Sequence, residues 1–360
     1  MSAKFPGLRG NLLNHPKIRA LATAVPQHVM TQSDALHLGQ SMFAEHFQNF
    51  GRFAEAYSNA GIEKRHICVP LEWLFEDHRW KERSDLYLEA AVNLAEEATR
   101  NCLAKSGLTL DQIDGIVTVS STGFATPSLD AHLCERLDLR RDIKRLPVFG
   151  LGCAGGVTGL ARAAELAKST PGSNWLLVVV ELCSLTFRAH DKKKANIIAT
   201  ALFGDGAAAA IVGTDGPGPA IVASGEHIWP ASLRVMGWDI EDDGFGVLFS
   251  RDIPTIVRNE LMDPLNSFLA QHNKTITDLD NFLFHPGGAK VLDALDEKIH
   301  PPAPGFTHAR NVMKNFGNMS APTALFVFDE AISHGPLSNA LMGALGPGFS
   351  ASFVLLEDFS

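Results

Sequence analysis

Three side chains of this sequence have the types and settings that covalent catalysis needs, and Cys153 is the first. It lies in the segment FGLGCAGGVTGLARAAELA, where a predicted strand runs through glycines into a helix. The unpaired amide groups and the dipole of a helix start favour a thiolate, so they lower the pKa of a nearby thiol. The flanking glycines let a substrate approach the sulfur. Cys153 is therefore a candidate nucleophile, and the alternative is a buried structural cysteine at a tight turn.

His285 and Asn318 could assist such a nucleophile. His285 ends the apolar strand NFLFH before a Pro-Gly-Gly turn, a place suited to a hydrogen-bond donor or base. Asn318, in NFGNMSAPTALF, lies in the second half at roughly the position of Cys153 and can donate to a carbonyl oxygen. Each alone has a simpler explanation, a satisfied core histidine and a helix-capping asparagine. Together, a nucleophile and two oxyanion donors fit acyl transfer through a thioester.

The elements that must position these residues alternate between strands and helices, which predicts a layered α/β fold. Apolar spacing of three and four residues predicts a helix over Ser84–Ser106, and a small-residue helix is predicted over Val157–Lys168. Buried strands are predicted over these segments: Ile113–Val119, Arg145–Leu151, Trp175–Glu181 and Ala207–Val212.

The chain also repeats itself. TLDQIDGIVTV (109–119) and TITDLDNFLFH (275–285) share a register with an offset of 166 residues, and the Phe-Gly pairs at 149–150 and 316–317 share an offset of 167. The ends GDGAAAAIV (204–212) and GPGFSASFVLL (346–356) differ by only 142, so the first half should carry extra residues around 184–200. Duplication predicts two halves, 1–215 with the nucleophile and 216–360 with the histidine and asparagine.

Composition excludes several function classes. The net charge is −9 over 360 residues, which disfavours nucleic acid as the main partner. The longest strongly apolar run, Trp175–Val180, is far short of the ~20 residues of a membrane span, and the N-terminus lacks a signal-peptide core. The five cysteines have no zinc-type spacing, which predicts free thiols and no metal site. We expect a cytoplasmic protein.

Five motifs carry a resemblance over nearly the whole chain: GLGCAGG around Cys153, LFGDG at 202–206, HPGGAK at 285–290, GNMS at 317–320 and GPG at 346–348. The sequence resembles the type III polyketide synthases of the chalcone synthase superfamily. The resemblance implies an α/β, thiolase-like duplicated αβαβα five-layer fold and a homodimer. It implies the catalytic triad Cys153, His285 and Asn318, a gatekeeper at Phe203, acyl-CoA and malonyl-CoA as substrates, and no metal or organic cofactor.

The resemblance also implies the cavity, to which it assigns Ser121, Thr126, Cys183 and Leu345. Plant enzymes have Met and Thr at the positions of Thr126 and Cys183, and GFGPG where this chain has ALGPG. Smaller groups there resemble bacterial relatives that accept long acyl chains through an extra tunnel; neutral drift is the alternative.

The pair Lys64-Arg65 resembles the CoA phosphate-binding segment of the family, although Glu63 replaces a neighbouring basic residue. The basic run DKKKAN at 191–196 is interpreted as a solvated loop.

The mechanism expected from this resemblance starts with a Cys153 thiolate paired with a His285 imidazolium. The thiolate takes an acyl group from a long-chain acyl-CoA, malonyl-CoA decarboxylates against His285 and Asn318, and the extended chain cyclises to an alkylpyrone or alkylresorcinol. A fatty-acid synthase or acyl carrier could supply the starter. Two alternatives stay open: a β-ketoacyl-ACP synthase III-like enzyme with a carrier-bound donor, and, more remotely, a cysteine hydrolase.

Overall fold

The computed structural model describes residues 15–44, 50–335 and 337–357. The prediction about the N-terminal segment therefore concerns residues outside the described ranges. Within these ranges the helices are α1 Gln32–Phe43, α2 Phe50–Ser58, α3 Trp80–Ser106, α4 Leu129–Arg136, α5 Gly155–Ser169, α6 Lys194–Leu202, α7 Ile253–Glu260, α8 Met262–Gln271, α9 Ala289–Ile299, α10 Thr307–Phe316 and α11 Thr323–Ser333. The strands are β1 Lys17–Ala24, β2 His28–Thr31, β3 Lys64–Ile67, β4 Gly115–Val119, β5 Lys144–Val148, β6 Asn174–Leu182, β7 Asp205–Gly213, β8 Ala220–Ile228, β9 Met236–Glu241, β10 Gly244–Phe249, β11 Asn281–Phe284, β12 Ala340–Gly346 and β13 Ser350–Glu357. None of the described helices is long and apolar enough to cross a bilayer.

Nine of the described strands form one sheet in the order β11-β12-β13-β8-β1-β7-β6-β4-β5. The first half of the chain supplies β1 and β4 to β7, and the second half supplies β8 and β11 to β13. The two parts join where β1 pairs with β8 at Lys17 and Ala220. β4 runs parallel to β5 and β6, and β11 runs parallel to β12. The sheet is therefore mixed, and each half forms one continuous part of it.

Helices cover the sheet on both sides, which gives the layered α/β arrangement. Along β6, Leu176 and Val178 pack in the hydrophobic cluster that includes α3, whereas Leu177 and Val179 pack in the cluster that includes α5. Helix α5 contacts strands of both halves and also α11, so these two helices form the central layer. On the far side, Phe268 of α8 stacks on Phe353 of β13 with ring centroids 5.6 Å apart.

The predicted duplication is confirmed by matching local structures. A capping box at Thr109 precedes β4, and a capping box at Thr275 precedes β11. The amide of Asp114 donates to the Asn174 carbonyl oxygen, and the amide of Asp280 makes the same bond, 3.0 Å long, to Asn339. The extra residues predicted around 184–200 are also present, because α6 separates β6 from β7 whereas only 347–349 separate β12 from β13.

The predicted elements exist, but some of their ends differ. Helix α3 begins at Trp80, four residues before the predicted start, and ends at Ser106 as predicted, before Gly107 with a φ of +69°. Strand β5 ends at Val148 instead of Leu151. It ends there because Gly150 has a φ of +87°, a conformation that cannot continue a strand.

Candidate active site

The turn that carries Cys153 is held by contacts from two other segments. Ser121 Oγ accepts hydrogen bonds from the amides of Gly150 and Gly152, at 3.2 and 3.1 Å. A Cβ at Gly152, which has a φ of +47°, would lie 2.7 Å from Cδ of Pro347. The turn therefore needs glycine for both its backbone conformation and its contact with the ALGPG loop, and α5 begins directly after it at Gly155.

Asn318 lies in the corresponding turn of the second half, directly before α11. The main-chain amide of Asn318 donates to the Leu202 carbonyl oxygen at 2.9 Å, and the main-chain carbonyl oxygen of Asn318 accepts from the amide of Gly204 at 3.0 Å. These bonds pair it with Phe203. Its side-chain Nδ2 donates to the Gly287 carbonyl oxygen at 3.4 Å, and its Oδ1 accepts from the Ser320 amide at 2.8 Å. Phe203 therefore lies beside Asn318, and its gatekeeper role stays a prediction.

The two turns meet at Cys153. Its thiol donates to Ser320 Oγ at a sulfur–oxygen distance of 3.7 Å, and the two residues are 167 positions apart, which is the repeat offset. Ser320, not Asn318, is therefore the structural counterpart of Cys153, which corrects the rough correspondence drawn from sequence. Helix α5 lies against the second turn and the start of α11, because a Cβ at Gly156 would lie 2.2 Å from the Ala321 carbonyl oxygen and 3.8 Å from Cγ of Leu325.

Burial acts against the predicted ion pair of Cys153 and His285. It raises the pKa of Cys153 to about 12, against hydrogen bonds from Ser320 and Asn318 that lower it. Burial also lowers the pKa of His285 to about 3. Desolvation therefore favours the neutral form of both groups over the effect of the helix start and the donors, and the thiolate–imidazolium pair stays a prediction.

His285 sits at the end of β11 as predicted, and its imidazole is uncommitted. Its main-chain amide donates to the Gly343 carbonyl oxygen at 2.8 Å. The side chain is 4% exposed, and neither ring nitrogen has a hydrogen-bond partner among the described residues. The carbonyl oxygen of Gly287, two residues later, accepts a hydrogen bond from Nδ2 of Asn318. The imidazole can therefore donate to or accept from a substrate group.

Glu181 is a buried carboxyl group that the sequence analysis missed. Its Oε2 accepts from the Ser121 amide at 2.9 Å and from Thr122 Oγ1 at 2.7 Å. Burial raises its pKa to about 7, and its charge raises the pKa values of Cys153 and Cys183. The signal was visible in NWLLVVVEL, since a lone carboxyl ends a strand that is buried on both faces.

Three of the four predicted cavity residues lie inside the protein near this site. Ser121, Cys183 and Leu345 are buried, and Cys183 is close enough to Cys153 for the two thiols to affect each other's ionisation. Thr126 is exposed on the loop after β4, away from the buried cavity residues of the described chain, and its assignment to a cavity stays a prediction. Its neighbour Phe124 is also exposed, and exposure of this loop depends on packing that motifs do not encode. All five cysteines are free, as predicted.

A cleft of about 750 Å³ opens beside the site between segments of both halves. Leu202 and Gly287 line it, and these residues hydrogen-bond Asn318. Lys290, Arg251 and Lys194 also line it and give it a basic character. Lys290 belongs to HPGGAK, and Lys194 belongs to the run 191–196 that was interpreted as a solvated loop.

The predicted CoA-binding pair lies elsewhere. Lys64 is exposed on β3 but does not line the cleft. Arg65 is 0% exposed, its guanidinium donates to the Thr200 carbonyl oxygen at 3.0 Å, and burial lowers its pKa to about 10. A buried guanidinium cannot reach a solvent-exposed phosphate, so the assignment of Arg65 to CoA binding is wrong.

The chain matches known proteins over nearly all of its length. Residues 13–216 match the N-terminal domain of chalcone and stilbene synthases, and residues 220–355 match their C-terminal domain. A putative chalcone synthase of Bacillus subtilis is 37% identical, with 94% of this chain and 98% of the relative covered. A 1,3,6,8-tetrahydroxynaphthalene synthase of Streptomyces peucetius is 36% identical over 94% and 92% of the two chains.

A solved structure has the same fold. The crystal structure of 1,3,6,8-tetrahydroxynaphthalene synthase from Streptomyces coelicolor, described as a bacterial type III polyketide synthase, superposes with a TM-score of 0.91. It is 27% identical, and the match covers 96% of this chain and 99% of that one. The predicted thiolase-like α/β fold is thus confirmed. The chain belongs to the chalcone and stilbene synthase family and is an acyltransferase, a type III polyketide synthase.

Proposed function

We propose that this enzyme extends a long-chain fatty acyl group, taken from CoA and held on Cys153, with malonyl-CoA units and cyclises the product to an alkylpyrone or alkylresorcinol. The observation that carries the proposal is the cleft, which joins the basic residues Arg251 and Lys290 to Leu202 and Gly287 beside Asn318. Its charge suits the phosphates of CoA, and its inner end suits the thioester.

Acyl loading uses the neutral groups found at the site. The Cys153 sulfur attacks the thioester carbonyl while its proton passes to His285. The tetrahedral intermediate then collapses, the C–S bond to CoA breaks, and the CoA sulfur takes the proton back from the imidazolium. An acyl-enzyme and free CoA result. The uncommitted imidazole supports this role, because no other partner competes for its nitrogens among the described residues.

Chain extension uses Asn318 and His285 as hydrogen-bond donors. Malonyl-CoA loses CO₂, and the electron pair of the broken C–C bond becomes an enolate whose oxygen accepts from Asn318 and His285. The enolate carbon attacks the acyl carbonyl on Cys153. The thiolate leaves and is reprotonated, and the chain, longer by two carbons, stays on CoA. Phe203, paired with Asn318, would shield the enolate from water.

The relatives favour a second candidate product. Two of them are named for 1,3,6,8-tetrahydroxynaphthalene, a compound without an alkyl tail. An enzyme of that kind needs no long starter, so starter length is the discriminating variable.

A product screen tests the proposal. Purified enzyme receives malonyl-CoA with starters from acetyl-CoA to stearoyl-CoA, beside the Cys153→Ala variant, and products are identified by mass spectrometry. We expect Cys153-dependent alkylpyrones or alkylresorcinols from the long starters. Products from malonyl-CoA alone or from short starters would keep the family and contradict the long-chain proposal. Activity only with a carrier-bound malonyl donor would favour the synthase III alternative.

The proposal includes a cytoplasmic homodimer, with the starter supplied either as CoA thioester or by an acyl carrier. Phe124 and Phe149 support the dimer, since both rings are more than half exposed beside the edge strand β5. Light scattering after gel filtration should give twice the chain mass, and a monomeric mass would contradict this part.

A further inference from the structure

A cluster of metal-binding side chains lies on the helices that flank the Asn318 turn. We propose that His308, Glu330 and His334 bind one divalent transition-metal ion of the zinc class. One ligand atom from each of the three side chains lies within 4.8 Å of the others. The site is separate from the cleft and from Cys153, and the proposal does not depend on the polyketide product.

Helix geometry brings the three side chains together. Glu330 lies in the last turn of α11, and His334, four residues later, directly follows the helix with a helical backbone conformation, so the two side chains lie on the same side. His308 projects from α10, and its ring centroid lies 5.2 Å from that of His334. The His308 Nδ1 atom is buried and has no hydrogen-bond partner within the described part of the chain. A histidine nitrogen that is buried without a partner is costly unless something occupies it, and a metal ion would do so.

The surroundings of the other two ligands resemble the outer contacts of metal sites. Nδ1 of His334 donates to the Glu330 carbonyl oxygen at 2.8 Å, which leaves the lone pair of Nε2 available. Ser333 Oγ lies 3.2 Å from the same Nδ1. Oε1 of Glu330 accepts from Asn311 Nδ2 at 3.1 Å and lies 3.8 Å from Nδ1 of His334. These bonds orient the carboxylate and one imidazole before any ion arrives.

The donor set selects the class of ion. Two imidazoles and one carboxylate are ligands that zinc accepts, with a water molecule completing four-fold coordination. Magnesium and calcium prefer sites made only of oxygen atoms and should bind poorly.

The position suggests what an ion would do. Helix α10 ends at Phe316, two residues before Asn318, and α11 begins at Thr323. An ion bound by His308, Glu330 and His334 would link α10, which precedes the Asn318 turn, to the end of α11, which follows it. Binding to the folded chain alone would raise its thermal midpoint.

Equilibrium dialysis of the full chain without a histidine tag against zinc chloride tests the proposal. We expect one zinc ion per chain in the wild type and at least about tenfold weaker binding in His308→Ala and in His334→Ala. His272→Ala removes an exposed histidine outside the cluster and should bind zinc like the wild type. Zinc should raise the melting temperature of the wild type and of His272→Ala but not of the other two variants, while magnesium changes none of them.

Cobalt gives a second measurement that does not depend on stability. Bound cobalt should produce visible absorption bands in the wild type that both ligand variants lose, with circular dichroism showing that the variants are folded. No zinc binding by the wild type, or equal binding in His308→Ala and His334→Ala, would overturn the proposal.

Discussion

Burial decides the chemistry of individual residues at this site. The thiol of Cys153 is 6% exposed and that of Cys183 is fully buried, and desolvation is the largest influence on the pKa of each. At Cys153, the helix start and the hydrogen bonds from Ser320 and Asn318 act in the opposite direction but are weaker. Burial therefore favours the thiol form of Cys153 in the free enzyme. We expect the thiol to lose its proton when the substrate thioester binds.

This protonation state predicts a pH dependence. Because the pKa of Cys153 is raised to about 12, the thiolate fraction should rise about tenfold per pH unit from pH 6 to 9. The rate at which iodoacetamide labels the Cys153 peptide, followed by mass spectrometry, should rise in the same way. Ser320→Ala should label more slowly at each pH, because the Ser320 hydrogen bond lowers that pKa. A rate independent of pH over this range would instead indicate a standing ion pair.

Asn318 offers a test of divided roles. Asn318→Ala removes the donor for the enolate, so malonyl-CoA decarboxylation should fall by about 10²–10³. Acyl loading onto Cys153 should fall much less, since attack by the sulfur does not require the amide for positioning. Release of CO₂ and the mass of the acyl-enzyme measure the two steps separately. Equal loss of both would show that Asn318 does not serve one step more than the other.

At the scale of elements, the site depends on how α5 and α11 approach each other. Gly156→Ala would place a methyl group 2.2 Å from the Ala321 carbonyl oxygen, which the backbone cannot relieve without moving a helix. We expect a loss of about 1–3 kcal/mol in unfolding free energy, together with reduced activity. Denaturant unfolding measures the first.

The control for Gly156→Ala is Lys168→Ala, at an exposed position in the last turn of the same helix. Its unfolding free energy should stay within about 0.5 kcal/mol of the wild type. If Gly156→Ala were equally harmless, the close helix contact would not be needed to hold the two turns.

Much of the site could be predicted because its signals are local. The glycines around Cys153 and the turn after His285 indicate strand-to-helix turns without knowledge of the tertiary structure. Arg65 could not be assigned correctly, since packing between distant segments buries its guanidinium beside the Thr200 carbonyl oxygen. The effect of burial on Cys153 and His285 could not be predicted for the same reason, because the depth of burial that influences both pKa values is a property of the whole fold.

At the scale of the molecule, both halves of a duplicated chain contribute to one reaction centre. The nucleophile comes from the first half, and His285 and Asn318 come from the second. The offset in sequence was enough to predict the duplication, but only the structure shows that the counterparts Cys153 and Ser320 touch. The contact between Cys153 and Ser320 could not be predicted, because a sequence offset identifies equivalent positions in the two halves but not the distance between them.

The cleft also combines the two halves, and it carries a prediction about substrate binding. Lys290→Ala and Arg251→Ala should each raise KM for acyl-CoA by up to about fivefold, the range of exposed charge contacts, with little change in kcat. Steady-state kinetics at low salt measure this. Lys64→Ala is the matched control, since Lys64 is basic and exposed but does not line the cleft. A larger effect from Lys64→Ala than from the cleft variants would place CoA elsewhere.

The central claim is that Cys153 carries the acyl group between CoA and malonyl-CoA. The most direct test is the intact mass of the enzyme after mixing with a long-chain acyl-CoA, followed by a chase with malonyl-CoA. We predict a mass gain of one acyl group on the wild type and none on Cys153→Ala, with the gain removed by malonyl-CoA as an extended product appears. An acyl group that forms on Cys153→Ala, or one that water releases as free acid regardless of malonyl-CoA, would contradict the account.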